Sequence, residues 1–109
     1  EAAETLQKEH GISCEIVDLR SLVPLDWETV NASIKKTHNV LTLEEGVMRG
    51  GVGAELSAQI TETLFDELDS PVNRVAGANI VSPFSPPLED AAFPQPKDMV
   101  AAVRRQLNV

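Results

Sequence analysis

Residues 40–76, VLTLEEGVMRGGVGAELSAQITETLFDELDSPVNRVA, decide the fold. The segment opens with the apolar run 40–43, which predicts a strand. A glycine-rich loop at 50–53 leads into a helix predicted over 52–68, where apolar residues recur at every fourth position. A second strand is predicted at 72–76. A strand, a helix and a strand in this order predict parallel pairing with a helical crossover.

The flanking segments continue the alternation of helix and strand. They predict helices at 1–10, 27–37 and 97–107, and a strand at 12–19. Gly11 is expected to end the first helix in the left-handed conformation, and Asp26 is expected to cap the second. Because residues 12–19 carry apolar groups on both faces, they are typical of a covered strand. The chain therefore predicts a three-layer α/β/α sandwich with a mostly parallel sheet.

The domain organisation predicted from the 109 residues is a single domain, 1–109. Five of the seven prolines fall in residues 77–96, where the apolar residues follow neither a helix nor a strand period. This segment is therefore expected to be irregular. Long irregular segments in compact domains are often functional. A helix at residue 1 with no capping residue before it indicates a piece of a longer protein. The first strand of the sheet is then expected upstream of Glu1.

Composition excludes several classes of protein. Apolar residues make up 42% and charged residues 24% of the chain, which is ordinary for a globular domain. The formal net charge of −8 argues against a nucleic-acid binder, and no apolar run approaches the ~20 residues of a membrane span. The one cysteine, Cys14, excludes an internal disulfide and is expected to be an inert core thiol.

The glycine-rich loop is the first candidate for chemistry. Its pattern at 51–56 has the place of a dinucleotide fingerprint, but Leu56 stands where the third glycine belongs. Nearby carboxylates oppose an anion, so Gly50, Gly51 and Gly53 are interpreted as tight backbone packing, with a subunit interface as one setting. A small nucleotide-binding regulatory domain remains the alternative from another functional class.

Two adjacent carboxylates, Glu44 and Glu45, end the strand before this loop. Successive strand residues point to opposite faces, so the two are not expected to form a catalytic pair. One of them is expected to pair with Arg49 or with a partner chain.

The remaining polar candidates are weaker. His10 and His38 lack a neighbouring ligand at metal spacing and are interpreted as exposed and structurally neutral. Acidic residues crowd the end of the long helix, and they are interpreted either as a solvated face or as a docking surface for a basic partner: Glu62, Asp66, Glu67 and Asp69. From the residues alone, the chain predicts an acidic α/β domain without an active site of its own.

Four segments taken together resemble one family. They are Gly11 to Asp26, Leu41 to Gly46, Gly50 to Glu55, and Pro71 to Gly77 followed by Pro83-Phe84. The chain is similar to the C-terminal, transketolase-type domain of the beta subunit of thiamine-diphosphate-dependent 2-oxo acid dehydrogenases. The pyruvate, branched-chain 2-oxo acid and acetoin enzymes belong to that family, with pyruvate the default substrate. Transketolase and deoxyxylulose-phosphate synthase are further parents to consider.

The resemblance implies a fold and a parent reaction. The family fold is a three-layer α/β domain, and its first strand would be missing here. The parent enzyme decarboxylates a 2-oxo acid on thiamine diphosphate, with Mg, and acylates a lipoyl group. In the family the cofactor lies between the alpha and beta subunits, and the contribution of the beta subunit comes from an upstream domain. The resemblance therefore assigns no catalytic residue, no cofactor ligand and no metal ligand to this chain.

The contribution implied for this domain is assembly. The partners implied are the alpha subunit, a second beta subunit in a tetramer of two alpha and two beta chains, and the basic peripheral-subunit-binding domain of the acyltransferase core. The expected subunit interface comprises Glu44, Glu45, Arg49, Gly50, Gly51 and Gly53. Asp69 and the carboxylate of Val109 are the expected docking residues. The expected location is the bacterial cytoplasm, or the mitochondrial matrix in a eukaryote.

Overall fold

The computed structural model describes residues 1–20, 25–77 and 94–109. Within these ranges the elements are α1 (Ala2–His10), α2 (Trp27–Thr37), β1 (Leu41–Val47), α3 (Val52–Leu64), a 3-10 turn (Phe65–Glu67), β2 (Asn73–Gly77) and α4 (Pro96–Leu107). No helix in these ranges is long and apolar enough to cross a membrane.

The sheet of the described residues consists of β1 and β2, which run parallel. Leu41 is paired with Asn73 and Leu43 with Val75, and the register shifts before Val47 meets Gly77. Since α3 connects the two strands, the predicted parallel pairing through a helical crossover is confirmed.

Helices cover both faces of this sheet. On one face, Thr42 Oγ1 lies only 2.9 Å from the place a Cβ atom on Gly53 of α3 would take. On the other, the Asn73 amide nitrogen donates to the carbonyl oxygen of Ala102 in α4 at 3.1 Å. Because Asn73 pairs with residue 41, whose side chain points away from that of Thr42, α3 and α4 lie on opposite faces. The predicted three-layer α/β class is confirmed.

The core lies between α2 and α3. Its buried residues are Val30 and Ile34 on α2, and Ile60 and Leu64 on α3. Each pair is spaced by one helical turn, so both helices present a narrow apolar stripe to each other. Burying one such side chain contributes about 1.5–3 kcal/mol. Partly buried residues complete the cluster: Val17, Leu19, Trp27, Val40, Leu56, Leu68 and Val72.

A second contact joins the two ends of the chain, where α1 packs against α4. Ala2 and Leu6 of α1 are buried, as is Ala102 of α4. Small residues on both helices allow the two backbones to approach closely. Leu6 retains only 1% of its surface exposure, so it is the main apolar residue of this contact.

The predicted strand at 12–19 is wrong, because residues 11–20 form no helix or strand. The segment lies along α2, where Glu15 accepts hydrogen bonds from the Ser33 hydroxyl and, at 2.9 Å, from the Lys36 ammonium. These bonds lower the pKa of Glu15. A strand needs a ladder of backbone partners, and in the described residues β1 pairs with β2 alone. Ile16, predicted on a covered face, is 76% exposed.

The expectation that Cys14 lies in the core is also wrong. The thiol is exposed rather than in the core, because the segment that carries it is not in the sheet. Partial burial nevertheless raises the pKa of the Cys14 thiol. A raised pKa keeps the thiol protonated at neutral pH, so the expected lack of reactivity follows from protonation and not from packing.

The helix-end signals at Gly11 and Asp26 are confirmed. Gly11 adopts φ 67° after α1, as predicted. Asp26 caps α2 by accepting from the Thr29 hydroxyl at 2.7 Å and the Thr29 amide at 3.1 Å, and these bonds lower the pKa of Asp26. The last helix starts at Pro96, one residue before the prediction, with a capping box between Gln95 and Asp98.

Other boundaries differ from prediction as well, and β1 extends to Val47 beyond its predicted end at residue 43. α3 ends at Leu64 instead of residue 68, because the chain tightens into the 3-10 turn. Phe65, the first residue of that turn, is 69% exposed. At the two ends of the segment predicted to be irregular, 77–96, Gly77 belongs to β2 and Pro96 to α4. Residues 78–93 lie outside the described residues.

The corrected position of residues 12–19 can be tested with a matched pair of variants. Leu6→Ala removes the buried contact between α1 and α4, and we expect it to lower the free energy of unfolding by about 2–5 kcal/mol. Ile16→Ala removes an exposed side chain and should change that energy by less than about 0.5 kcal/mol. Urea denaturation of both variants measures the two values. If both variants lost a comparable free energy of unfolding, Ile16 would have to be buried, and the predicted covered strand at 12–19 would be supported.

Candidate functional site

The glycine-rich loop brings the end of β1 against the start of α3. Gly51 is the N-cap of α3, and its carbonyl oxygen accepts from the Ala54 amide at 3.1 Å. The Gly53 amide donates to Glu44 Oε1 at 3.0 Å. Free amides at a helix N-terminus attract anions, and here the half-buried Glu44 carboxylate already takes that place.

This arrangement decides between the two interpretations of the loop. A phosphate at the start of α3 would have to displace a negatively charged side chain and would be repelled by it. Gly53 is buried, and a Cβ atom there would lie 2.9 Å from both Glu44 Oε1 and Thr42 Oγ1. For Gly53 the predicted role in tight backbone packing is therefore confirmed, and the geometry argues against nucleotide binding at this loop.

The rest of the expected subunit interface divides between interior and surface. Glu44 turns into the chain and Glu45 is exposed, as expected for successive strand residues. Arg49 and Gly50 are also exposed, and Gly50 has φ 71°, which lets the loop turn there. Glu45 in β1, and Arg49 and Gly50 in the loop that follows, are thus exposed, and we call these three residues the loop surface.

Arg74 was not singled out in the sequence, although it braces this loop. Its guanidinium nitrogen Nη1 donates to the carbonyl oxygen of Met48 at 3.2 Å. Arg74 lies on β2, so the bond connects the second strand with the loop that follows the first. The signal available in the sequence was an arginine inside a short predicted strand.

A second candidate surface forms where α3 ends. Its members are exposed apart from the half-buried Glu67, and we call them the acidic surface: Glu62, Phe65, Asp66, Glu67 and Asp69. An exposed aromatic ring among carboxylates combines apolar contact area with negative potential. The sequence pattern identified the four carboxylates but not Phe65.

His38 holds this surface in place, so its interpretation as a structurally neutral residue is corrected. Its backbone at φ 62° ends α2. The imidazole Nδ1 lies 2.7 Å from the carbonyl oxygen of Glu67, and the His38 carbonyl oxygen accepts from the Asp69 amide at 2.9 Å. The ring is half-buried because the turn folds over it.

The end of α4 lies beside the same turn. The Gln106 amide nitrogen donates to Ser70 Oγ at 3.1 Å and to the Val40 carbonyl oxygen at 3.0 Å. Asp69 precedes Ser70 and Val109 follows closely on Gln106, so the two expected docking residues come to one end of the domain. Val109 is exposed, and its amide donates to the carbonyl oxygen of Arg104 at 3.0 Å. Among the described residues, no cluster of three metal-ligating side chains occurs.

Comparison with known proteins identifies the family to which this fold belongs. Residues 1–99 match the family model for the transketolase C-terminal domain. The fold and the match define the class, and the chain belongs to the transketolase C-terminal domain family. The predicted family resemblance is confirmed.

Three relatives with high sequence identity are beta subunits of the pyruvate dehydrogenase E1 component. The chain is 50% identical to the mitochondrial pyruvate dehydrogenase E1 component subunit beta-1 of Oryza sativa subsp. japonica, over 96% of this chain and 28% of the relative. It is 46% identical to the mitochondrial subunit beta of Saccharomyces cerevisiae and 44% identical to that of Homo sapiens, in each case over 100% of this chain and 30% of the relative. The chain thus spans less than a third of the length of these relatives.

The packing role of Gly53 can be tested by a mutant cycle. A glycine-to-alanine change inside a helix normally stabilises it by about 0.5–1 kcal/mol. Gly53→Ala should instead destabilise the domain by about 1–3 kcal/mol, because the new Cβ would overpack the contact with β1. In a Thr42→Ala, Glu44→Ala background, the same change should be neutral or stabilising. Equal losses in both backgrounds, measured by thermal denaturation, would contradict the contact.

Proposed function

We propose that this domain is the assembly module of the beta subunit of a pyruvate dehydrogenase-type enzyme. Its similarity to pyruvate dehydrogenase beta subunits over at least 96% of the chain supports this parent. In this proposal the domain contacts the alpha subunit and a second beta subunit, and it docks the acyltransferase core of the complex.

The parent reaction proposed is the oxidative decarboxylation of a 2-oxo acid on thiamine diphosphate, with acylation of a lipoyl group. Pyruvate is favoured over a branched-chain acid or acetoin because the relatives are named for pyruvate. The same names favour the mitochondrial matrix over the bacterial cytoplasm. They also favour a dehydrogenase over transketolase as the parent.

The described residues do not fit the cofactor of that reaction. A diphosphate needs free amides or cations, but the start of α3 is closed by the Glu44 carboxylate. Magnesium needs several oxygen ligands, and no suitable side-chain cluster occurs in the described ranges. We therefore assign no step of the reaction to this domain.

Docking of the acyltransferase core is proposed for the acidic surface. The observation that carries the proposal is Phe65, which is 69% exposed between exposed carboxylates. Binding hot spots combine an aromatic anchor with a polar rim. Carboxylates such as Asp66 and Asp69 would steer a basic domain to this site and raise its association rate.

Subunit contact is proposed for the loop surface. Glu45 and Arg49 present charges of opposite sign within five residues, and Gly50 leaves room for close approach of another chain. This surface is separate from the acidic surface in sequence and carries a different charge pattern.

The docking proposal predicts a charge-reversal effect. In the full-length beta subunit assembled with its alpha subunit, Asp69→Lys should weaken capture of the peripheral-subunit-binding domain by at least about tenfold, since one charge pair is replaced by a repulsion. Isothermal titration calorimetry at low salt measures the dissociation constant. Glu9→Lys, an exposed charge reversal on α1, is the matched control and should leave it unchanged. An unaltered affinity for Asp69→Lys would refute the docking site.

The cofactor assignment predicts a negative result with a positive control. Titration of the folded 109-residue chain with thiamine diphosphate and magnesium should give no heat of binding, because the start of α3 is occupied. The assembled alpha and beta subunits should bind the cofactor under the same conditions. Saturable binding by the chain alone would place part of the cofactor site in this domain.

A further inference from the structure

We infer that His38 is a positioning residue for the acidic surface, which it holds in a binding-ready conformation through two hydrogen bonds to the turn that carries Asp69. This inference rests on the proposed docking function. His38 ends α2 and lies 29 residues from Glu67 in the sequence, so its bonds join distant parts of the chain.

His38 makes two hydrogen bonds to the turn, one through its side chain and one through its backbone. Nδ1 lies 2.7 Å from the carbonyl oxygen of Glu67, and a carbonyl can only accept, so Nδ1 carries the hydrogen. The carbonyl oxygen of His38 accepts from the Asp69 amide at 2.9 Å. The side chain and the backbone of one residue therefore bind the turn on both sides of Leu68, which itself packs on the core.

The residue after Asp69 is also held by hydrogen bonds. Ser70 donates through Oγ to Asn39 Oδ1 at 3.3 Å and accepts from the Gln106 amide nitrogen at 3.1 Å. Every residue from 67 to 70 is thus bonded or packed to His38, Asn39, α4 or the core. The carboxylate of Asp69 remains exposed at the centre of this fixed turn.

The ordered turn affects the free energy of binding. A surface that is already ordered loses less conformational entropy when a partner binds. The Glu67 carboxylate also lies 3.8 Å from Nδ1, but both side chains are about two-fifths exposed, so this pair adds little. The hydrogen bonds, rather than charge on the imidazole, provide the positioning.

The backbone of His38 allows a clean choice of variants. Its φ of 62° lies in the left-handed region, which glycine and asparagine adopt most readily. His38→Gly keeps this backbone but deletes the donor. His38→Asn keeps the backbone and retains an N–H donor at about the position of Nδ1. Asp69→Asn leaves the turn intact and removes only the charge.

The test uses the full-length beta subunit assembled with its alpha subunit, and the isolated peripheral-subunit-binding domain as the probe. Amide hydrogen exchange of residues 67–70, measured without the probe, reports the turn, and exchange at Ile60 serves as the internal reference. Calorimetric titration reports the dissociation constant. For His38→Gly we expect faster exchange at Asp69 and a dissociation constant about 3–10 times higher, the effect of one lost hydrogen bond.

The other variants separate the two proposals. His38→Asn should restore both slow exchange and binding, whereas Asp69→Asn should weaken binding with unchanged exchange. Normal exchange in His38→Gly would overturn the positioning role. If exchange rises but binding does not, while Asp69→Asn still weakens binding, the positioning role fails and the docking function stands. If neither variant affects binding, the docking function fails and the positioning role fails with it.

Discussion

The contact between Glu44 and Gly53 is the constraint from which the arrangement of the described residues follows. The Glu44 carboxylate in the middle of β1 accepts from the first turn of α3 at 3.0 Å, and the missing side chain of Gly53 lets the helix approach the strand. Because a helix is a stiff element, fixing its start fixes its course over the sheet. Ile60 and Leu64 then face α2, where the core forms. The end of α3 and the acidic surface take their positions from the same anchor.

The central β–α–β unit could be predicted because its signals are local. Apolar spacing marks the helices, and Asp26 and Gly11 mark helix ends by interactions within a few residues. The segment 12–19 shows what such signals omit. Alternating apolar residues report which side chains prefer burial, but a strand also requires backbone partners elsewhere in the chain. In the described residues Val17 and Leu19 reach the core beside α2 without any such partner.

The candidate site was predicted in part for the same reason. Acidic residues and glycines are visible in the sequence as residue types, whereas their positions depend on how α3 ends. A helical period continued to residue 68 would place Phe65 beside the apolar face, but the 3-10 turn has a different number of residues per turn and rotates the ring into solvent. The bonds of His38 join residues 29 and 31 positions apart, and no local pattern reports a contact of that range.

The charges at the two helix ends near the acidic surface differ in sign, and this difference is consistent with the proposed docking role. At the end of α4, Arg104 and Arg105 complement the negative end of the helix dipole. Just beyond the end of α3, Asp66 and Glu67 in the 3-10 turn do the opposite, because negative charge is unfavourable near the C-terminus of a helix. Folding alone would favour neutral or basic residues there, as it does in α4. A basic partner would offset that cost on binding, and the turn held by His38 would meet it already ordered.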